Sequence, residues 1–143
     1  MPYEFLEEMA LADIAFRAWG NDLEETFVAA AHAVMNAMVE DLDAIQAREE
    51  RLLSVEHEAL DMLLFNFLQE FIYYKDAEQL LLRIQQLRIA DTNRPYTLQA
   101  TAVGETLDPD RHRMRVDVKA VTLHRFSLAQ TARGWEAFVI LDI

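Results

Sequence analysis

Cysteine is absent from this 143-residue chain, and glycine and proline occur three times each. The first absence excludes disulfides, thiolate zinc sites, iron–sulfur clusters and thiol nucleophiles. The second leaves no low-complexity or disordered composition. Positive charge is scarce: 13 Lys and Arg stand against 25 Asp and Glu, a net charge of −12. Nucleic-acid binding rests on cationic contacts that release counterions from the phosphate backbone, so tight direct binding of RNA or DNA is disfavoured. A basic protein partner or a metal cation suits this charge better, and plain solubility suits it too. Long apolar runs are missing as well: none approaches the ~18–20 residues of a membrane span. The opening segment, MPYEFLEEMALAD, carries acids and no basic stretch, unlike a secretory signal. A cytoplasmic location is the expectation.

What the chain does have is material for a core. Its hydrophobic fraction is 52%, and a chain of this size hides roughly 70% of its unfolded surface on folding. No repeat or linker divides it, so a single domain over residues 1–143 is expected. Residues 3–19 read as extended, with Ile14, Phe16 and Ala18 on one face and Asp13, Ala15 and Arg17 on the other. Gly20 and Asn21 interrupt this pattern. Asn21 or Asp22 then caps a helix, with Glu24 or Glu25 completing a capping box. Leu23, Phe27, Ala30, Val34 and Met38 form its apolar stripe, while His32 falls off the stripe and is expected to be exposed. A short strand is expected at residues 51–56. A second helix over residues 58–74 follows from Leu60, Leu63, Leu64, Phe67, Leu68, Phe71 and Ile72, and Met62 and Phe65 widen its stripe towards a second buried side.

The remainder alternates with period two. Residues 80–89 are compatible with a strand, although their leucines also permit a helix. A turn is expected at residues 91–95. Leu98, Ala100 and Ala102 alternate with Thr97, Gln99 and Thr101, and Met114, Val116, Val118 and Ala120 alternate with Arg113, Arg115, Asp117 and Lys119. Arg133 and Gly134 mark a hairpin. Residues 137–141, AFVIL, are apolar without alternation and predict a strand covered on both faces. The sum is an α+β fold: an antiparallel-rich mixed sheet with two amphipathic helices packed on it.

Candidate chemistry concentrates at the end of that apolar strand. Asp142 and Ile143 bring a side-chain carboxylate and a main-chain carboxylate close together, and Asp13 begins another strand. If the two strands are neighbours, these oxygens converge. Repulsion among them would then favour a hard cation such as Ca²⁺, Mg²⁺ or Mn²⁺. Ordinary solvated acids account for the same residues. His32, His57, His112 and His124 show no close metal-ligand spacing, and no phosphate-loop or nucleophile-elbow motif occurs. Glu7 and Glu8 suit acid–base work or a strand edge. Glu70 is either the polar rim of its helix or a group turned into a site. RHRMR, residues 111–115, is the one basic cluster, fit either for a phosphate or for a solvated strand face, and Lys119 continues that face.

Taken in order, LADIAFRAWG, DLEETFVAAAHAVMNAM, LLFNFLQEFIYYKD, VKAVTLHRF and EAFVILDI resemble the archease family over residues 3–143. That resemblance implies an α+β fold and a metal-binding accessory protein. It also implies a partner, the RtcB-type RNA ligase of tRNA splicing and RNA repair, whose guanylylation and multiple turnover the accessory promotes. The family's metal-site aspartates fall on Asp13 and Asp142, with Ile143 adding an oxygen, and an important lysine of the family falls on Lys119. Many archeases carry His-Thr-Ala-Asp where this chain reads Ala10-Leu11-Ala12-Asp13, so two polar groups of that motif are missing here. Two other functions remain open on the residues alone. One is a metal-dependent phosphoesterase or nucleotide hydrolase acting by itself; the other is a binding module with a purely structural ion.

Overall fold

The structure, a computed structural model, describes residues 2–6 and 13–143. In chain order it contains β1 (Tyr3–Leu6), β2 (Asp13–Gly20), α1 (Leu23–Met38), a 3₁₀ turn (Leu42–Ala44), β3 (Glu49–His57), α2 (Leu60–Glu78), β4 (Leu80–Ala90), β5 (Tyr96–Thr106), β6 (Ala120–Thr131) and β7 (Gly134–Asp142). The α+β class holds, but the single mixed sheet expected from the sequence is resolved into two. The first has the order β1-β2-β7-β6 and the second β3-β5-β4. Every strand pairing in both is antiparallel. Where one extended run was expected, the described residues form two antiparallel strands, β1 and β2, with Tyr3 opposite Ala18. The positions of Glu7, Glu8, Ala10, Leu11 and Ala12 lie outside the described residues.

Helix α1 starts where the capping residues place it. The Asp22 carboxylate accepts from the Glu25 backbone N–H at 2.8 Å, and the Glu25 carboxylate accepts from the Asn21 N–H at 3.2 Å. The expected stripe is buried, and so is most of the rest of the helix. Ala29, Ala30, Ala31, Ala33 and Ala37 are all sealed from solvent. The cause is topological: α1 packs on β1, β2 and β7 of the first sheet and on β4 of the second. Alanine suits a helix enclosed in this way because it lets backbones approach closely and loses no side-chain entropy. His32 is consequently not exposed. It is largely enclosed, and its Nε2 has no hydrogen-bond partner.

Helix α2 buries Leu63, Leu64, Phe67, Leu68, Phe71 and Ile72. Phe67 stacks on Phe27 of α1 with ring centroids 6.0 Å apart. On its second flank Phe65 meets Phe126 of β6 edge to face at 5.6 Å, but Met62 and Phe65 are only half-buried, so the second side expected to be buried is covered in part. Residues 80–89 adopt the strand alternative as β4, and β7 lies between β2 and β6 with Ala137, Val139, Ile140 and Leu141 buried. The hairpin into β7 turns through Gly134, whose φ of 144° is open to glycine alone among common residues.

Residues 113–119 are the clearest departure. They are extended but make no sheet ladder, apart from one bridge between Met114 and Val39. Their partners are at the end of α1. The Arg115 N–H donates to the Met38 carbonyl at 2.8 Å, and the Glu40 N–H donates to the Arg113 carbonyl at 2.9 Å. A helix C-terminus leaves its last carbonyls without intrahelical donors, and this segment supplies them. The alternation survives in part: Val118 is buried and Asp117 and Lys119 are exposed, while Met114 is turned outward.

Three of the four basic side chains in the cluster are spent on acids, and the fourth, Arg115, lies over the Phe5 ring. Arg111 and His112 both reach Glu105, a carboxylate only 3% exposed, and Arg113 pairs with Glu40 at 3.4 Å. His112 Nδ1 accepts from the Asp108 N–H at 2.9 Å, so its Nε2 carries the hydrogen donated to Glu105 at 3.0 Å. Burial alone would raise the Glu105 pKa. Hydrogen bonds from the Gln46 N–H, His112 and Arg111 outweigh it and hold the group at about 2. Its folded pKa is depressed, so its contribution to stability is present above the ordinary glutamate range and is lost as pH falls towards about 2.

Two outcomes are expected. Asp22→Ala removes the cap and costs ~1 kcal/mol in urea unfolding, with an unchanged denaturant slope. Glu105→Gln lowers the midpoint at neutral pH by an amount worth about 2 kcal/mol, and its stability falls less steeply than wild type when pH is lowered from 5 to 2. Parallel acid profiles for the two proteins would refute the assignment.

Candidate functional site

The antiparallel register of β2 and β7 sets Asp13 directly opposite Asp142. Residues opposed in this way project from the same face of a sheet, with Cβ atoms ~5 Å apart. The condition that the sequence left open, neighbouring strands with their acids at one end, is therefore met. Ala15, Arg17 and Trp19 continue this face along β2, and Ile140, Phe138 and Glu136 continue it along β7. Both helices pack on the opposite face, where Phe16, Ala18, Ala137, Val139 and Leu141 are buried. The two carboxylates thus stand on the side of the sheet away from the helical core. Ile143 follows directly, and its side chain packs against that core, which anchors the strand end.

Lys119 arrives at the same place. Its N–H donates to the Asp142 carbonyl at 2.8 Å, and Ala120 is the register partner of Asp142. The Lys119 side chain is exposed. A residue that sequence inspection missed holds this segment in place: Lys75, in the last turn of α2. Its Nζ donates to Asp117 Oδ1 at 2.5 Å and to the Val118 carbonyl at 2.9 Å, with only 10% of the side chain exposed. Burial would lower the Lys75 pKa, but hydrogen bonds to Asp117 and Asp76 prevail and raise it. A lysine at a helix end is an ordinary sequence feature, and only the packing of α2 against residues 117–118 gives it this task.

Two facing carboxylates repel each other, and a divalent cation relieves that repulsion. Among the described residues, no group of three His, Cys, Asp or Glu side chains has metal-site spacing. Further oxygens at this end would come from the main chain, as at Ile143, or from solvent.

The other candidates lie elsewhere. Glu70 is half-buried on α2, and burial raises its pKa. His32 sits at the opposite end of β2, beside a hollow of about 520 Å³ lined also by Trp19, Glu24 and Val28. Burial, and then the nearby Arg83 charge, lower the His32 pKa. No helix among the described residues is long and apolar enough to cross a membrane.

Comparison with known proteins gives one answer. The archease protein family (MTH1598/TM1083) matches residues 3–143. Protein archease of Pyrococcus abyssi is 38% identical over 133 residues, covering 92% of this chain and 93% of that protein. Protein archease of Methanosarcina mazei is 34% identical over 142 residues, covering 99% and 95%. The solution structure of Methanobacterium thermoautotrophicum protein 1598 superposes with a TM-score of 0.85 at 34% identity and covers 99% of each chain. A crystal structure from Thermotoga maritima, described as an archease and possible chaperone, shares the fold with a TM-score of 0.66 at 18% identity. It covers 92% of this chain and 91% of its own. With near-complete coverage by family and relatives alike, this chain belongs to the archease family.

Proposed function

We propose that this protein is a metal-binding accessory, rather than a catalyst in its own right, that promotes guanylylation and multiple turnover of an RtcB-type RNA ligase in the cytoplasm. The observation that carries the proposal is the register pair of Asp13 and Asp142, with Lys119 bonded alongside. Membership of the archease family supports the choice of partner. Asp13, Asp142 and an Ile143 oxygen form a set of hard donors suited to Ca²⁺, Mg²⁺ or Mn²⁺. A cation held there would offset the carboxylates and offer a positive centre to a phosphate oxygen. The chain's own contribution is positional. Pairing of β2 with β7 fixes the two acids, the packed Ile143 side chain fixes the strand end, and Lys75 fixes the segment that presents Lys119. The net charge of −12 favours docking on a basic, RNA-binding enzyme over contact with the RNA itself.

The test pairs Asp142→Ala with wild type in a guanylylation time course of the ligase at limiting Mn²⁺. Asp142→Ala should keep its circular dichroism spectrum, bind Mn²⁺ at least tenfold more weakly, and lose stimulation. Lys119→Ala should bind Mn²⁺ normally and still lose stimulation. Full stimulation by folded Asp142→Ala removes the proposed site. Turnover of GTP by the protein alone with Mn²⁺ would instead favour a hydrolase.

A further inference from the structure

The second sheet carries an irregularity of its own. Along β4, Ile84 is opposite Ala102 and Gln86 is opposite Thr101, so β4 takes two residue steps where β5 takes one. The apolar pattern requires this bulge. Leu82 and Ile84 pack inward before it, and Leu87 and Ile89 pack inward after it, a spacing that a strict period of two cannot satisfy. Inserting one residue restores the phase and turns Gln86 and Arg88 to the outer face, where both are exposed. Without the bulge, Arg88 would be opposite Leu98 and would face the core.

The register then assembles two rows across three strands. Ser54, Gln99 and Arg88 form one row, and Leu52, Thr101 and Gln86 form the next. Opposed side chains on one face stand ~5 Å apart. Between the rows lie Leu53 and Ala100, whose side chains are buried on the helix side, so backbone floors the gap. These residues line one hollow of about 400 Å³, within the range of ~300–1,000 Å³ typical of small-molecule sites. Other hollows are acidic: Glu24 and Glu25 line the one beside His32, and Glu49, Glu105 and Asp108 line the one beside Arg111. Among the described residues no acid lines this one, whose polar side chains are one guanidinium, two amides and two hydroxyls. In a chain with 25 acidic side chains, that sets neutral hydrogen-bonding groups around a single cation. Leu52, 74% exposed on the edge strand β3, adds an apolar wall.

We propose that this hollow binds a small phosphorylated polyol, with Arg88 pairing to the phosphate and Ser54, Gln86, Gln99 and Thr101 bonding to the hydroxyls. A guanidinium presents paired donors to phosphate oxygens. Hydroxyl and amide side chains both donate and accept, which matches the hydroxyls of a sugar, and Leu52 meets the C–H face of its ring. Glu50 and Glu56 are exposed on the same face, one row beyond on either side, and repel a longer polyanion. The site is independent of the cation proposed at Asp13 and Asp142, which belong to the first sheet.

The test titrates glucose 6-phosphate into the protein and follows backbone amide NMR shifts. Shifts should cluster at residues 52–54, 86–88 and 99–101, and glucose should bind at least tenfold more weakly. Arg88→Gln, at an exposed position that leaves the core intact, should weaken glucose 6-phosphate at least fivefold. Arg133→Gln removes the same charge from the hairpin of the first sheet and should stay within twofold of wild type. Gln99→Leu should weaken glucose 6-phosphate more than it weakens inorganic phosphate. Absence of binding at millimolar ligand, or shifts scattered away from these strands, overturns the site. Equal affinities of wild type and Arg88→Gln overturn it as well, and equal losses in Arg88→Gln and Arg133→Gln reduce the effect to net charge and do the same. Inorganic phosphate binding as tightly as glucose 6-phosphate overturns the role given to the hydroxyls.

Discussion

The pairing of β2 with β7 is the constraint on which the rest depends. Eight register pairs, from Asp13 with Asp142 to Gly20 with Trp135, join the beginning of the described sheet to the end of the chain. Side chains alternate between faces with a period of two, so a slip of one residue by either strand would turn its helix-facing residues, Phe16 and Ala18 or Val139 and Leu141, to the other side of the sheet. The burial of Phe16, Ala18, Val139 and Leu141 against α1 therefore fixes the register far more firmly than any interaction between the acids could. Hydrophobic packing on one face thereby decides which side chains meet on the other, Asp13 and Asp142 among them.

Much of this was legible in the sequence because its causes are local. The Asp22 cap, the α1 stripe, the long apolar stripe of α2 and the uninterrupted apolar run of β7 are each set by residues within a turn or two of one another. The candidate acids were legible as residues, but their opposition was not. It depends on which strands become neighbours, and period-two patterns carry no information about partners. Family resemblance named Asp13, Asp142 and Lys119; the register explains how they come to share one end of a sheet.

The misreadings share a physical source, which is tertiary contact with no local signature. His32 lies off the stripe of α1, yet it is enclosed because a second sheet covers the other side of the helix. The alternation at residues 113–119 reported extended backbone correctly but could not show that its donors would serve a helix end instead of a strand. Leu123, His124 and Arg125 break alternation in a way that a sequence cannot distinguish from a loop, and only the register on both sides shows an inserted bulge. Lys75 and Glu105 likewise gain their meaning from partners far along the chain.

The enclosure of α1 also shapes how such a protein can change over time. Twelve of its sixteen residues are buried, and several of these are alanines wedged between two sheets. Any added methylene there must push one sheet away from the other. Room for substitution is thereby left at the outer sheet faces, the turns and the exposed side of α2, where a larger side chain displaces only solvent.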